Sequence, residues 1–193
     1  LLAKFLRSLN MLPVYRVRDG LSSVTKNNAI FDECVQHMKR NDAILIFAEA
    51  NHDLKRRIRP LSKGFTRIAF DAEIRNNWEM DLHVIPVGLN YEHHQNSRTK
   101  VKVVFGKPIL MKQYEQILKE DEREATHRLK ADVADGMKNI TMHVPKLDHY
   151  SLHDVVLVQL AENAEEYINP TTANNRVQLI EENLTDELVE IAL

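Results

Sequence analysis

The chain has 193 residues, 44% of them hydrophobic and 28% charged, with a formal net charge of -2. That length allows one domain with a real core, and the balance is that of an ordinary globular protein rather than a disordered or fibrous one. A single cysteine excludes a disulfide framework and a cysteine-based zinc site. The charge is unevenly spread. Residues 1–70 carry thirteen Lys and Arg against six Asp and Glu, whereas residues 115–193 carry seven against seventeen. The basic first third implies an anionic partner, and the acidic last third implies solvated helix surface.

The chain opens at Leu1, without Met, directly in a helical pattern with Leu2, Phe5, Leu6 and Leu9 on one face. We expect a fragment of a longer protein. Pro13 ends that pattern, and residues 13–17 are a short strand candidate, with Arg16 and Arg18 two apart and so on one side if the chain is extended. Asp19-Gly20 is a turn signal. A helix is predicted from a Ser22 or Ser23 cap, its stripe made by Ile30, Phe31, Cys34 and Met38. Cys34 on that stripe is expected to be inert core.

Residues 43–48 are six consecutive apolar residues, the pattern of a strand buried on both faces. Glu49 stands at the strand's end, with Asn51, His52 and Asp53 after it. Five cations follow: Lys55, Arg56, Arg57, Arg59 and Lys63. In an open α/β sheet, ligands bind beyond the carboxyl ends of the strands, so this stretch reads as the rim of an anion site. Gly64 leads into a helix with Phe65, Ile68, Ala69 and Ala72 on one face. A strand over 82–91 is interrupted by Pro86, which cannot donate to a ladder. Residues 101–105 form the last predicted strand, closed by Gly106 and Pro108.

The rest reads as helical. One stripe is Leu129, Val133, Met137 and Ile140. A second is Leu152, Val156, Leu160 and Tyr167, stopped by Pro170. A third is Val177, Ile180, Leu184, Leu188 and Ile191. The expected architecture is an α/β domain over 1–110, a mostly parallel sheet flanked by helices, and an acidic helical extension over 111–193.

Three blocks give the chain a resemblance to the glycerolipid acyltransferases typified by lysophosphatidate acyltransferase. Leu12-Pro13-Val14-Tyr15-Arg16 is similar to the family block ending in a phosphate-contacting Arg. Phe47-Ala48-Glu49-Ala50-Asn51-His52-Asp53 stands in place of Phe-Pro-Glu-Gly-Thr-Arg-Ser, and Arg59-Pro60-Leu61-Ser62-Lys63-Gly64 matches the following basic loop. Val84-Ile85-Pro86-Val87 is similar to the block shaping the acyl-binding side. The second block keeps Phe and Glu but not the Arg that contacts the acceptor phosphate. His52 can take that role when protonated; Arg56, Arg57 or Arg59 can take it as a guanidinium fork.

The resemblance implies transfer of a fatty acyl group from acyl-CoA or acyl-carrier protein to the hydroxyl of a glycerol-phosphate or lysophospholipid acceptor. No cofactor is expected beyond the acyl donor, and no metal, since nothing converges on His93-His94 as a further ligand. No nucleic acid is expected, since no aromatic residues interleave residues 55–63. The basic region with an acyl substrate favours the cytoplasmic face of a membrane. Glu49 would order the acceptor site, with Arg16, Asn51, His52, Arg56, Arg57, Arg59, Lys63, Gly64 and Pro86 binding substrate. An inactive relative that binds anionic lipid or a protein partner is the alternative.

The family's catalytic His, with an Asp five positions on, belongs before Arg16 and is expected upstream of Leu1. The spacing recurs downstream at His37/Asp42, His127/Asp132, His143/Asp148 and His149/Asp154. These pairs are read as coincidental, because five residues within a helix point two side chains to different faces.

Overall fold

The computed structural model describes Phe5 and residues 8–12, 27–49, 55–93, 97–145 and 168–183. Helix α1 (Asn27–Lys39) and helix α2 (Gly64–Ile74) precede and follow the run at 43–48 in sequence. Strands β1 (His83–Val84) and β2 (Val87–Tyr91) are separated at Ile85 and Pro86, as the proline requires. Strand β3 (Val101–Phe105) is followed by β4 (Ile109–Leu110), a strand beyond the last one expected. A 3₁₀ turn (Met111–Tyr114) leads to α3 (Glu115–Glu120), the long α4 (Glu122–Ile140) and α5 (Pro170–Asn183). Pro170 begins α5, where its missing N–H costs nothing in a first turn; the helix it was expected to stop lies outside the described residues.

The mixture of helices and strands is observed, but the parallel sheet is not. Among the described residues the strands form two antiparallel pairs, β1 with β4 and β2 with β3. The second pair follows from connectivity, since consecutive strands joined by a short loop fold back on each other. The central strand expected at 43–48 is corrected as well. It carries neither helix nor strand, and Leu45 and Phe47 are 75% and 77% exposed. An apolar run becomes a buried strand only when neighbours supply ladder bonds. Here the described pairing touches just its end, through Ser62 N–H to the Ala48 carbonyl at 2.8 Å and a Glu49–Leu61 bridge.

The main core draws on residues either side of position 110. Leu61, Phe65, Ala69, Phe70 and Trp78 pack with Met111, Tyr114, Ala125, Leu129 and Val133. Helix α4 is therefore as much a wall of this core as α2 is. Asp121 caps α4, accepting the N–H of Arg123 at 2.7 Å and of Glu124 at 3.2 Å. Phe31, Cys34 and Ile68 form a smaller cluster between α1 and α2, and burial pushes the Cys34 thiol up, away from the reactive thiolate. A third cluster joins Met142 and Val144 to Ile168, Ala173 and Val177 around α5. The stripe expected around 152–167 lies outside the described residues, as do Leu184, Leu188 and Ile191.

The β2–β3 hairpin meets the end of α4 at very short range. Asn90, 2% exposed, donates from Nδ2 to the Ile140 carbonyl at 3.0 Å and accepts Met142 N–H at 2.9 Å. A Cβ on Gly88 would lie 2.4 Å from the Ile140 carbonyl oxygen. Gly88→Ala is therefore expected to cost about 1–3 kcal/mol by overpacking against backbone that cannot rotate away. A urea unfolding midpoint unchanged in that variant would contradict this contact.

Candidate functional site

The basic loop is held from three directions. From below, the Glu49 carboxylate accepts Arg59 N–H at 3.3 Å, at the foot of the Glu49–Leu61 bridge. From the hairpin side, Arg56 uses its guanidinium as a fork, donating to the Tyr91 carbonyl at 2.9 Å and the Glu92 carbonyl at 3.2 Å. From the chain after α4, Val144 N–H donates to the Arg56 carbonyl at 2.8 Å, and Ile58 N–H donates to Nδ1 of His143 at 3.0 Å. Ile58 itself packs against the main core.

Between this loop and α4 lies a groove of about 330 Å³. Ile58, Pro60, Leu61, Ala131 and Ala134 make its apolar surface, and Arg59, His127, Lys130 and Lys138 bring basic groups to it. The helical contribution comes from positions 127, 130, 131, 134 and 138, a single stripe at helical spacing. Among the described residues no carboxylate lines the groove, so an anion with an apolar portion fits the chemistry of these groups.

The structure thus brings together Glu49, Arg56, Arg57 and Arg59 on one short stretch, with Lys63 and Gly64 opening α2 behind it. Lys63 serves as the helix cap residue, its carbonyl accepting the Thr66 hydroxyl at 2.9 Å. A Cβ on Gly64 would meet nothing closer than 3.9 Å, so space does not demand glycine there. Pro86 packs toward α4, opposite Gly136, and its carbonyl accepts Gly106 N–H at 2.8 Å. Arg16, Asn51 and His52 lie outside the described residues.

One expectation about the histidines is corrected. His37 Nδ1 and Asp42 Oδ2 are 2.9 Å apart, although helical geometry was expected to separate them. The helix ends at Lys39, and Asn41 at φ 63° reverses the chain, so Asp42 returns beneath His37. Both side chains are exposed, at 36% and 52%. His127 and Asp132 remain inside α4, where Asp132 accepts the Tyr114 hydroxyl and the phenol's pKa is pushed up by burial and by that carboxylate. Asp148, His149 and Asp154 lie outside the described residues.

Sequence reasoning weighed His143 only as a partner of Asp148 and did not single out Asn174; neither was placed at this assembly. Asn174 on α5 accepts His143 N–H at 3.0 Å and donates to the Lys138 and Thr141 carbonyls at 2.9 and 3.1 Å. Their partners are backbone groups distant in sequence, a relation with no local signature.

Residues 1–90 match the family model described as Acyltransferase. Two yeast (Saccharomyces cerevisiae) proteins are similar, "Glycerol-3-phosphate O-acyltransferase 2" at 24% identity over 123 residues and "Glycerol-3-phosphate O-acyltransferase 1" at 24% over 120. These matches cover 63% and 60% of this chain but only 16% and 15% of the relatives. No solved structure matches significantly. Among the described residues, no helix is long and apolar enough to cross a membrane.

The His143 environment carries a pH consequence. Burial first, then Lys138 and Arg57, hold its pKa below the ordinary imidazole value. The unfolded chain therefore binds the proton more readily than the fold does. The contribution of neutral His143 is complete above the unfolded pKa of about 6.5 and is lost as pH falls from there through the folded value. Urea unfolding across this range should show stability falling on acidification, with that component absent in His143→Asn.

Proposed function

We propose that this chain, a member of the glycerolipid acyltransferase family, moves a fatty acyl group from acyl-CoA or acyl-carrier protein to the hydroxyl of a phosphate-bearing glycerolipid acceptor. The reaction would serve phospholipid biosynthesis at the cytoplasmic face of a membrane. The observation that carries this reading is the Glu49–Arg59 hydrogen bond. It holds a cationic loop inside residues 1–90, the span that matches the family model. The names of the two yeast relatives support glycerol 3-phosphate as an acceptor to assay.

In this mechanism a general base takes the acceptor's hydroxyl proton as oxygen attacks the thioester carbonyl. The C–O bond forms, the C–S bond breaks, and the departing thiolate takes up a proton. The protein's larger contribution is positioning: cations hold the phosphate so that the hydroxyl meets the carbonyl at one distance. Arg57 and Arg59 would supply that hold, with Arg16, Asn51 and His52 from the matched blocks. Arg56 would brace the loop, since its fork already engages the Tyr91 and Glu92 carbonyls. Glu49 would keep the Arg59 backbone in place. The base is assigned to a His/Asp pair preceding Arg16 in the family order.

A second reading draws on the exposure of Leu45 and Phe47 just ahead of the cations. That arrangement suits a relative that binds anionic lipid without catalysis.

The two readings separate in one comparison on the whole protein. Acyl transfer from acyl-CoA to glycerol 3-phosphate and to lysophosphatidate is measured beside sedimentation with anionic vesicles. Glu49→Ala is expected to lower transfer by about 100-fold through misplacement, leaving vesicle binding intact. No transfer by the unaltered protein, with vesicle binding retained, would favour the lipid-binding reading. His37→Ala is expected to change transfer by less than about twofold; a loss of ~10²–10⁴-fold, the size of general-base assistance, would move the base to His37.

A further inference from the structure

His143 sits in the connection between α4 and α5, half-buried, and makes two directional contacts. Its backbone N–H is held by Asn174, and its ring Nδ1 accepts from Ile58 N–H at 3.0 Å. The next residue repeats the pattern with backbone alone, Val144 N–H to the Arg56 carbonyl. Two consecutive residues of this connection therefore hold positions 56 and 58 of the basic loop, and one hold is an imidazole nitrogen.

That substitution has a chemical consequence. A ring nitrogen that accepts an N–H carries a lone pair, so the proton of neutral His143 is on Nε2. Protonation turns both ring nitrogens into donors, and Nδ1–H would then face Ile58 N–H. The attraction becomes a repulsion at the point where the loop is anchored. The charged groups acting on the ring are Lys138 from α4 and Arg57 from the loop, both cations. From helix α5 the neutral amide of Asn174 holds the His143 backbone N–H; Glu181 stands seven residues beyond Asn174, about 10 Å further along that helix axis.

We propose that His143 is a proton-sensitive positioning residue for the basic loop: neutral, it anchors Ile58 and keeps Arg57 and Arg59 arranged to capture an anion, and protonated, it releases them. The inference rests on reading this loop as the acceptor's phosphate site. It assigns the region after residue 110 a part in substrate binding that the family resemblance, which ends near Pro108, does not reach.

The test uses the full chain and two readouts that need no turnover. Amide exchange at Ile58, corrected for the intrinsic rate, is followed between about pH 7.5 and about pH 4.5, a range that extends well below the ordinary imidazole pKa because burial and the two cations hold the folded value lower. Affinity for inorganic sulfate, a phosphate mimic of constant charge over this range, is followed on the Arg57 and Arg59 amides. The unaltered protein should lose Ile58 protection on acidification and bind sulfate about three- to tenfold more weakly, the worth of one hydrogen bond. In His143→Asn, whose Oδ1 can accept as Nδ1 does, protection and affinity should persist at both pH values. In His143→Leu, of similar bulk, both should be low throughout, with far-ultraviolet dichroism confirming the fold.

Equal Ile58 protection at the two pH values in the unaltered protein would overturn the proposal. So would a His143→Asn variant that titrates as the unaltered protein does. If exchange follows the expected pattern while sulfate affinity ignores all three forms, the positioning role falls because the loop is not the anion site. The exchange data then show that the failure lies in that reading and not in the anchor.

Discussion

The arrangement depends on one buried amide. Asn90 spends its Nδ2 and Oδ1 on Ile140 and Met142, and so joins the inner face of the β2–β3 hairpin to the end of α4. A buried amide pays for its desolvation only when both ends are satisfied, so this junction tolerates one geometry. Gly88 permits the approach from the strand, and Gly136 permits it where α4 passes Pro86. Once residues 140–142 are fixed, residues 143 and 144 are delivered to the basic loop in a definite register. Order therefore passes from the hairpin to α4's end and from there to the candidate anion site. Arg56 returns to the Tyr91 and Glu92 carbonyls and closes the circuit.

Much of the helical framework was legible because periodicity is a local property. The stripes through Phe31 and Cys34, through Phe65 and Ile68, and through Leu129 and Val133 each turned out to face a core cluster. Pro86 marked the break between β1 and β2 for the chemical reason that it lacks an N–H. Residues 43–48 misled because strand formation is not local. Six apolar residues state a capacity for burial, while the ladder that would exercise it must come from elsewhere. The apolar outer face of the hairpin makes the same point: Leu89, Tyr91, Val101, Val103 and Phe105 alternate as a half-buried strand should, yet Phe105 is 70% exposed. His37 and Asp42 failed in the opposite direction, since a helix that ends at Lys39, three residues short of Asp42, brought together what an intact helix would separate.

The candidate site was legible where chemistry sits in the chain itself. Glu49 and the cations after it are adjacent in sequence, and the structure adds that Glu49 reaches the backbone of Arg59. What could not be read was the division of labour among those cations. Arg56 is one of three neighbouring guanidinium groups, and the structure shows it reaching two hairpin carbonyls at the end of β2. The roles of His143 and Asn174 could not be read for a related reason. Each acts on main-chain groups, which carry no residue identity for a pattern to match.

The choice of an imidazole at position 143 follows from its surroundings. A carboxylate would also accept Ile58 N–H, but it would draw Arg57 and Lys138 toward itself and spend their charge internally. An ammonium or guanidinium offers no lone pair. Asparagine accepts without titrating and would hold the loop regardless of pH. Histidine alone combines neutrality near pH 7, an acceptor nitrogen and a second state that reverses the sign of the contact. The cations around it reinforce the neutral state by opposing a further positive charge. The electrostatic field that suits the loop to an anion also keeps His143 in the form that anchors the loop.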